Sequence, residues 1–236
     1  MQQDNRAARR VARQEKQKRT GTREPPAQAK TLGPKVDPGH KEYTVVIYGA
    51  APGGAFLAAT VAQKLGLDFG NNVNKLLADD RFNGKSDSEL RVVIGERNAA
   101  SAAWGWKAAP GSDLRTVLPA LRNPRLLFVS RDPVSFALAK GAPEDEFIKL
   151  VETAVAQQTG ALDLLKSAGC PTLLLSYEDA IARPRHFISS IAAFIGKALP
   201  AALPPVVQLV KSLTKFGPRR GRRLGKGRNK PASKKR

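Results

Sequence analysis

Residues 45–56 read VVIYGAAPGGAF. Four apolar residues run into a glycine-rich turn, and the turn runs into a small-residue stretch with helical character. A strand that ends in glycines and opens a helix presents backbone N–H groups and a helix N-terminus to whatever lies above it, and both favour a phosphate anion. Two further apolar runs end on residues with chemistry to offer. Residues 125–130 (RLLFVS) lead directly into Arg131, whose guanidinium suits bidentate phosphate binding. Residues 171–176 (PTLLLS) lead into Tyr177, Glu178 and Asp179. Each has a plainer use. The glycine turn can be a tight connection, Asp132 and Pro133 form an N-cap and N1 pair, and Glu178 or Asp179 can cap the helix that follows.

The elements that must position these residues are legible as alternating strands and helices. Strands are expected at 43–48, 125–130 and 171–176, and helices at 55–65, 88–98 with a serine N-cap, 114–121, 143–168 and 177–194. Residues 66–87, rich in Asn, Asp and Gly, read as loop with short helical pieces. Buried strands separated by helices predict an α/β fold, a parallel sheet flanked by helices, in which ligands bind beyond the carboxyl ends of the strands.

Charge divides the chain into three. Residues 1–42 carry a net +6, residues 43–210 a net +2 and residues 211–236 a net +12, out of +20 in all. The expected organisation is therefore a basic, disordered arm over 1–42, an α/β domain over 43–210 and a basic, disordered tail over 211–236. Arms of this kind bury too little apolar surface to order themselves. They serve either as solubilising segments or as a polyanion contact, to nucleic acid or an anionic membrane face. Cys170 is the single cysteine and His40 and His186 lie far apart, so neither a disulfide nor a metal-ligand pattern is expected. No signal-like apolar region and no apolar run of about 20 residues is visible, which points to a cytoplasmic protein without a transmembrane segment.

Four stretches, in this order, resemble the P-loop-related sulfotransferases, in particular the compact bacterial ones. They are the strand and loop at 45–56, Trp104-Gly105-Trp106-Lys107, residues 121–133 (LRNPRLLFVSRDP) and residues 175–196 (LSYEDAIARPRHFISSIAAFIG). The resemblance covers residues 43–196. It implies a P-loop NTPase-like sulfotransferase fold and transfer of sulfonate from 3′-phosphoadenosine 5′-phosphosulfate (PAPS) to a hydroxyl or amine of an unspecified small-molecule or glycan acceptor. It assigns the 5′-phosphosulfate loop to Gly49, Pro52, Gly53, Gly54 and Ala55, and the grip on the 3′-phosphate to Arg131. Lys107 would be the cation that reaches phosphate or sulfonate, and Glu96 or Asp113 the base.

The loop departs from the family where the cation and hydroxyls usually stand, at Pro52 to Phe56, and Ala108 and Ala139 replace an aspartate and a serine of the family pattern. The alternative reading is a catalytically silent sulfotransferase-like module, structural or binding, whose basic arms contact nucleic acid or another polyanion.

Overall fold

The computed structural model describes residues 29–49, 54–82, 85–109, 112 and 114–214. The expected arm at 1–28 and tail at 215–236 lie outside the described residues, as do Pro52, Gly53 and Asp113.

Five strands form one sheet: β1 (Ala29–Leu32), β2 (Tyr43–Gly49), β3 (Ala103–Lys107), β4 (Pro124–Ser130) and β5 (Thr172–Ser176). Their order is β1-β5-β4-β2-β3, with β2 to β5 parallel and β1 antiparallel on β5. The helices are α1 (Gly54–Lys64), α2 (Asp87–Ala100), α3 (Pro133–Lys140), α4 (Glu144–Ser167), α5 (Tyr177–Ala182), α6 (Pro184–Phe194) and α7 (Leu203–Thr214). The fold is thus α/β, a mostly parallel sheet with helices on both faces.

The apolar runs follow from burial on two sides. Val45, Ile47, Leu127, Val129, Leu173 and Leu175 point to one face, where α1, α6 and α7 cover them. Val46, Tyr48, Leu126 and Phe128 point to the other, beneath α2 and α4. Period-two alternation along each strand therefore fills two cores at once.

Several boundaries differ from those expected. Among the described residues a strand precedes residue 43: Ala29, Lys30, Thr31 and Leu32 pair with Leu175, Leu174, Leu173 and Thr172. A four-residue strand with two polar residues has no periodicity to betray it, and only its pairing makes it one. The fold also runs past residue 210, since α7 continues to Thr214 around buried Val206, Val207 and Val210.

Residues 103–107 form an edge strand, with Trp104 fully buried and its Nε1 donating to Asn98 Oδ1 at 3.0 Å. The helix expected at 114–121 shrinks to a single 3-10 turn, Leu118–Ala120, with a proline at its start. Helix α2 is capped by Ser86 rather than Ser88. The Ser86 side chain accepts from the Glu89 backbone, and the Glu89 carboxylate accepts from the Ser86 backbone, a reciprocal capping box. With Lys85 and Ser86 both bound to it, the Glu89 carboxyl is lowered to about 2.

Candidate functional site

The sheet order creates a topological switch. From β2 the chain moves to β3 on one side, and from β4 it moves to β5 on the other, although β2 and β4 are neighbours. The two outgoing connections diverge and leave a crevice above the carboxyl ends of β2 and β4, the usual ligand position in open α/β sheets. Gly49 pairs in register with Val129, so the first glycine of the turn and Arg131 leave the sheet side by side.

The two glycines that flank the turn, Gly49 and Gly54, are packed closely. A Cβ on Gly49 would stand 3.1 Å from the Ala55 nitrogen and 3.3 Å from the Val129 carbonyl oxygen. On Gly54 it would stand 2.9 Å from Val129 Cγ1. Both glycines let α1 start directly against β4, and Ala55, half-buried, completes that contact. The N-terminus of α1 consequently stands at the carboxyl end of β4.

Arg131 is half-buried, and its guanidinium carbon lies 4.4 Å from the centre of the Tyr177 ring and 5.4 Å from that of Phe136. Gln158 Nε2 donates to the Arg131 carbonyl, anchoring the backbone at this point. The residues beside it tie the ends of β4 and β5 together. The Asp132 N–H donates to Glu178 Oε1 at 3.0 Å, and Ser176 Oγ donates to Glu178 Oε2 at 2.8 Å. Asp132 caps α3 by accepting from the Ser135 N–H, which holds its carboxyl below the ordinary range. Asp179 is buried and accepts from Arg183 Nε at 2.6 Å, with His186 Nδ1 2.9 Å away. Tyr177, Glu178 and Asp179 therefore act as scaffolding, and neither Asp132 nor Glu178 is placed to take a proton.

Lys107 ends β3 in register with Ile47. Since Trp104 and Trp106 face the α2 core, Lys107 points to the opposite face, the one that α1 covers. It is half-buried, burial pushes its pKa below the usual lysine value, and no described residue holds it by a hydrogen bond or ion pair. A desolvated cation at a strand end is a suitable anion partner.

Glu96 is not brought to this crevice. Leu90, Val93, Ile94 and Arg97 form the inner side of α2, which turns Glu96 outward. There it pairs with Arg81 at 3.2 Å, near the helix end that leads into the start of β3. The strand-end residues the structure assembles are thus Gly49, Gly54, Ala55, Lys107 and Arg131.

Beside a cavity of about 520 Å³ between β1 and α6, two more among the described residues bear on the site. One, of about 460 Å³, lies between α4 and residues 112–115 and is lined by Tyr48, Arg115, Thr153 and Gln157. The other, of about 480 Å³, lies at the amino ends of β4 and β5, across the sheet from the switch point. The more enclosed space and the strand-end chemistry are therefore in different places. Lys107, Gly49 and Arg131 all stand at the carboxyl ends of the parallel strands, on β3, β2 and β4 in turn. Among the described residues no group of three His, Cys, Asp or Glu could hold a metal ion, and no helix is long and apolar enough to cross a membrane. No protein-family model matches the chain, and no curated protein matches it.

Proposed function

We propose that the chain is a sulfotransferase-like protein that binds PAPS at the switch point between β2 and β4. The observation that supports this reading is the Gly49–Val129 register, with Gly54 packed on Val129, which puts the end of β2, the start of α1 and Arg131 at one edge of the sheet. The turn and helix N-terminus take the 5′-phosphosulfate, Arg131 takes the 3′-phosphate, and Lys107 offers the mobile cation.

In the reaction the acceptor oxygen or nitrogen bonds to sulfur as the bond from sulfur to the 5′-phosphate oxygen breaks. The acceptor proton leaves to solvent or to the departing phosphate, since the carboxylates at the strand ends are engaged in scaffolding. Positioning and charge stabilisation then supply the catalysis.

The test is calorimetric titration of the full chain with adenosine 3′,5′-bisphosphate. Saturable binding that Arg131→Ala weakens by about tenfold or more supports the reading. Absence of binding by folded protein at millimolar nucleotide removes it. A second reading, a silent binding module, draws on the turn itself, where Ala50, Ala51, Pro52 and Gly53 bring neither cation nor hydroxyl. Binding of the bisphosphate without sulfonate transfer to any of a panel of phenols, amines and sugars favours it.

A further inference from the structure

Three segments far apart in sequence, 34–40, 115–125 and 167–171, meet below the amino ends of β4 and β5 and enclose the cavity of about 480 Å³. That volume lies within the range of small-ligand sites, about 300–1,000 Å³. From Arg125, which lines it, to Arg131 is six residues along β4, roughly 20 Å at 3.3 Å per residue, so it is independent of the nucleotide crevice.

Its walls are unusual in rigidity. Pro34, Pro119, Pro124 and Pro171 all line it. Proline rings have fixed φ and no N–H, so they present flat apolar surface without a donor to satisfy and with little freedom to collapse inward.

Its charge is unusual in balance. Arg125 lines the cavity and is only 4% exposed. Its guanidinium donates to the carbonyls of Phe194 at 3.1 Å and His40 at 3.4 Å, and it lies 3.8 Å from the centre of the Tyr43 ring. All three partners are neutral, and no described carboxylate is within ion-pair distance of it. Asp37 acts on it only from further off and is engaged by His40 and the Gly39 N–H. Burial accordingly lowers the Arg125 pKa. A buried cation without a counter-ion is costly, and an anion that enters the site restores the balance through charge-assisted hydrogen bonds. Lys35 and Arg115, both exposed, stand at the rim with the same sign.

We propose that this cavity is a second ligand site, one that takes a small planar aromatic carboxylate. The ring lies between the proline walls and the carboxylate meets the Arg125 guanidinium.

The probe is 2-naphthoate, titrated into the full chain by calorimetry beside its neutral analogue 2-naphthalenemethanol. The expected result is one saturable site for the acid, with the alcohol weaker by about tenfold or more. Arg125→Gln abolishes the preference for the acid. Because Arg125 also supports the Phe194 carbonyl, circular dichroism checks that this variant folds. If it does not, the exposed pair Lys35→Ala/Arg115→Ala decides, with an affinity for the acid lowered by about threefold or more. Arg131→Ala leaves binding unchanged. No binding at millimolar naphthoate, equal binding of the alcohol, loss of binding in Arg131→Ala, or an affinity that survives the deciding variant would overturn the proposal.

Discussion

The two edges of the parallel sheet are built on opposite plans. At the carboxyl edge, polar side chains are knitted to one another: Asp132, Ser176 and Glu178 join β4 to β5, while Asp179, Arg183 and His186 form a closed cluster beneath them. Beside them stand the half-buried Lys107 and Arg131, the latter laid across the Tyr177 and Phe136 rings. At the amino edge, rigid proline walls hold a cavity open around a buried arginine with neutral partners. One edge stabilises through mutual satisfaction, the other keeps a charge in reserve.

The comparison breaks most sharply at Asp179. Asp179→Ala removes the carboxylate that pairs with the Arg183 guanidinium, in a site where the aspartate is fully enclosed. The expected cost is about 3–5 kcal/mol in urea denaturation, with no selective effect on naphthoate. A loss below about 1 kcal/mol would mean the carboxyl edge does not depend on its network.

Next in size is the exchange of arginines. Arg131→Ala is expected to weaken adenosine 3′,5′-bisphosphate by about ten- to a hundredfold and to spare naphthoate, and Arg125→Gln to do the reverse. Two titrations on two variants show whether the edges are separate sites.

Gly54→Ala comes third. The added Cβ would meet Val129 Cγ1 at 2.9 Å, and the turn must yield. The expected loss is about 1–3 kcal/mol, measured by thermal denaturation, together with weaker nucleotide binding because the start of α1 moves.

The smallest effect sharpens rather than breaks the contrast. Lys107 is charged in a half-buried position, and its folded pKa lies below the ordinary 10.5. Between those two values the unfolded chain binds more protons than the folded one, so stability rises with pH through that window. Bisphosphate binding falls through the same window as the charge is lost. Lys107→Met should remove both trends, raising the melting temperature slightly while weakening the nucleotide. A flat pH profile in the original chain would show that Lys107 faces solvent freely.

What could be read from sequence follows the same division. The carboxyl edge was legible because its residues are contiguous with the strands that carry them. Val129 and Ser130 lead straight to Arg131, and Gly49 ends β2, so finding the strands was enough to place these residues at the sheet's carboxyl edge. Glu96 was misplaced because its helix was recognised without knowing which side would face the sheet, and Leu90, Val93 and Ile94 decide that. The amino edge left no local trace. Its cavity joins Lys35, Arg125 and Cys170 from three separate segments, and no spacing links them. Strand β1 escaped for a similar reason, since a short polar-apolar mixture becomes a strand only when a partner lies beside it.

That first strand has a consequence for how the protein is made. The ribosome releases residues 29–32 early, yet the only described partner for them is β5, whose Leu175 emerges roughly 150 residues later. Until then the leading segment must wait undocked, and the edge of β4 that β5 will cover stays open to any passing chain with a matching edge. Completion of the sheet is thus timed by the last strand to be synthesised, and a truncation that stops before it would strand the beginning of the polypeptide as well as the end.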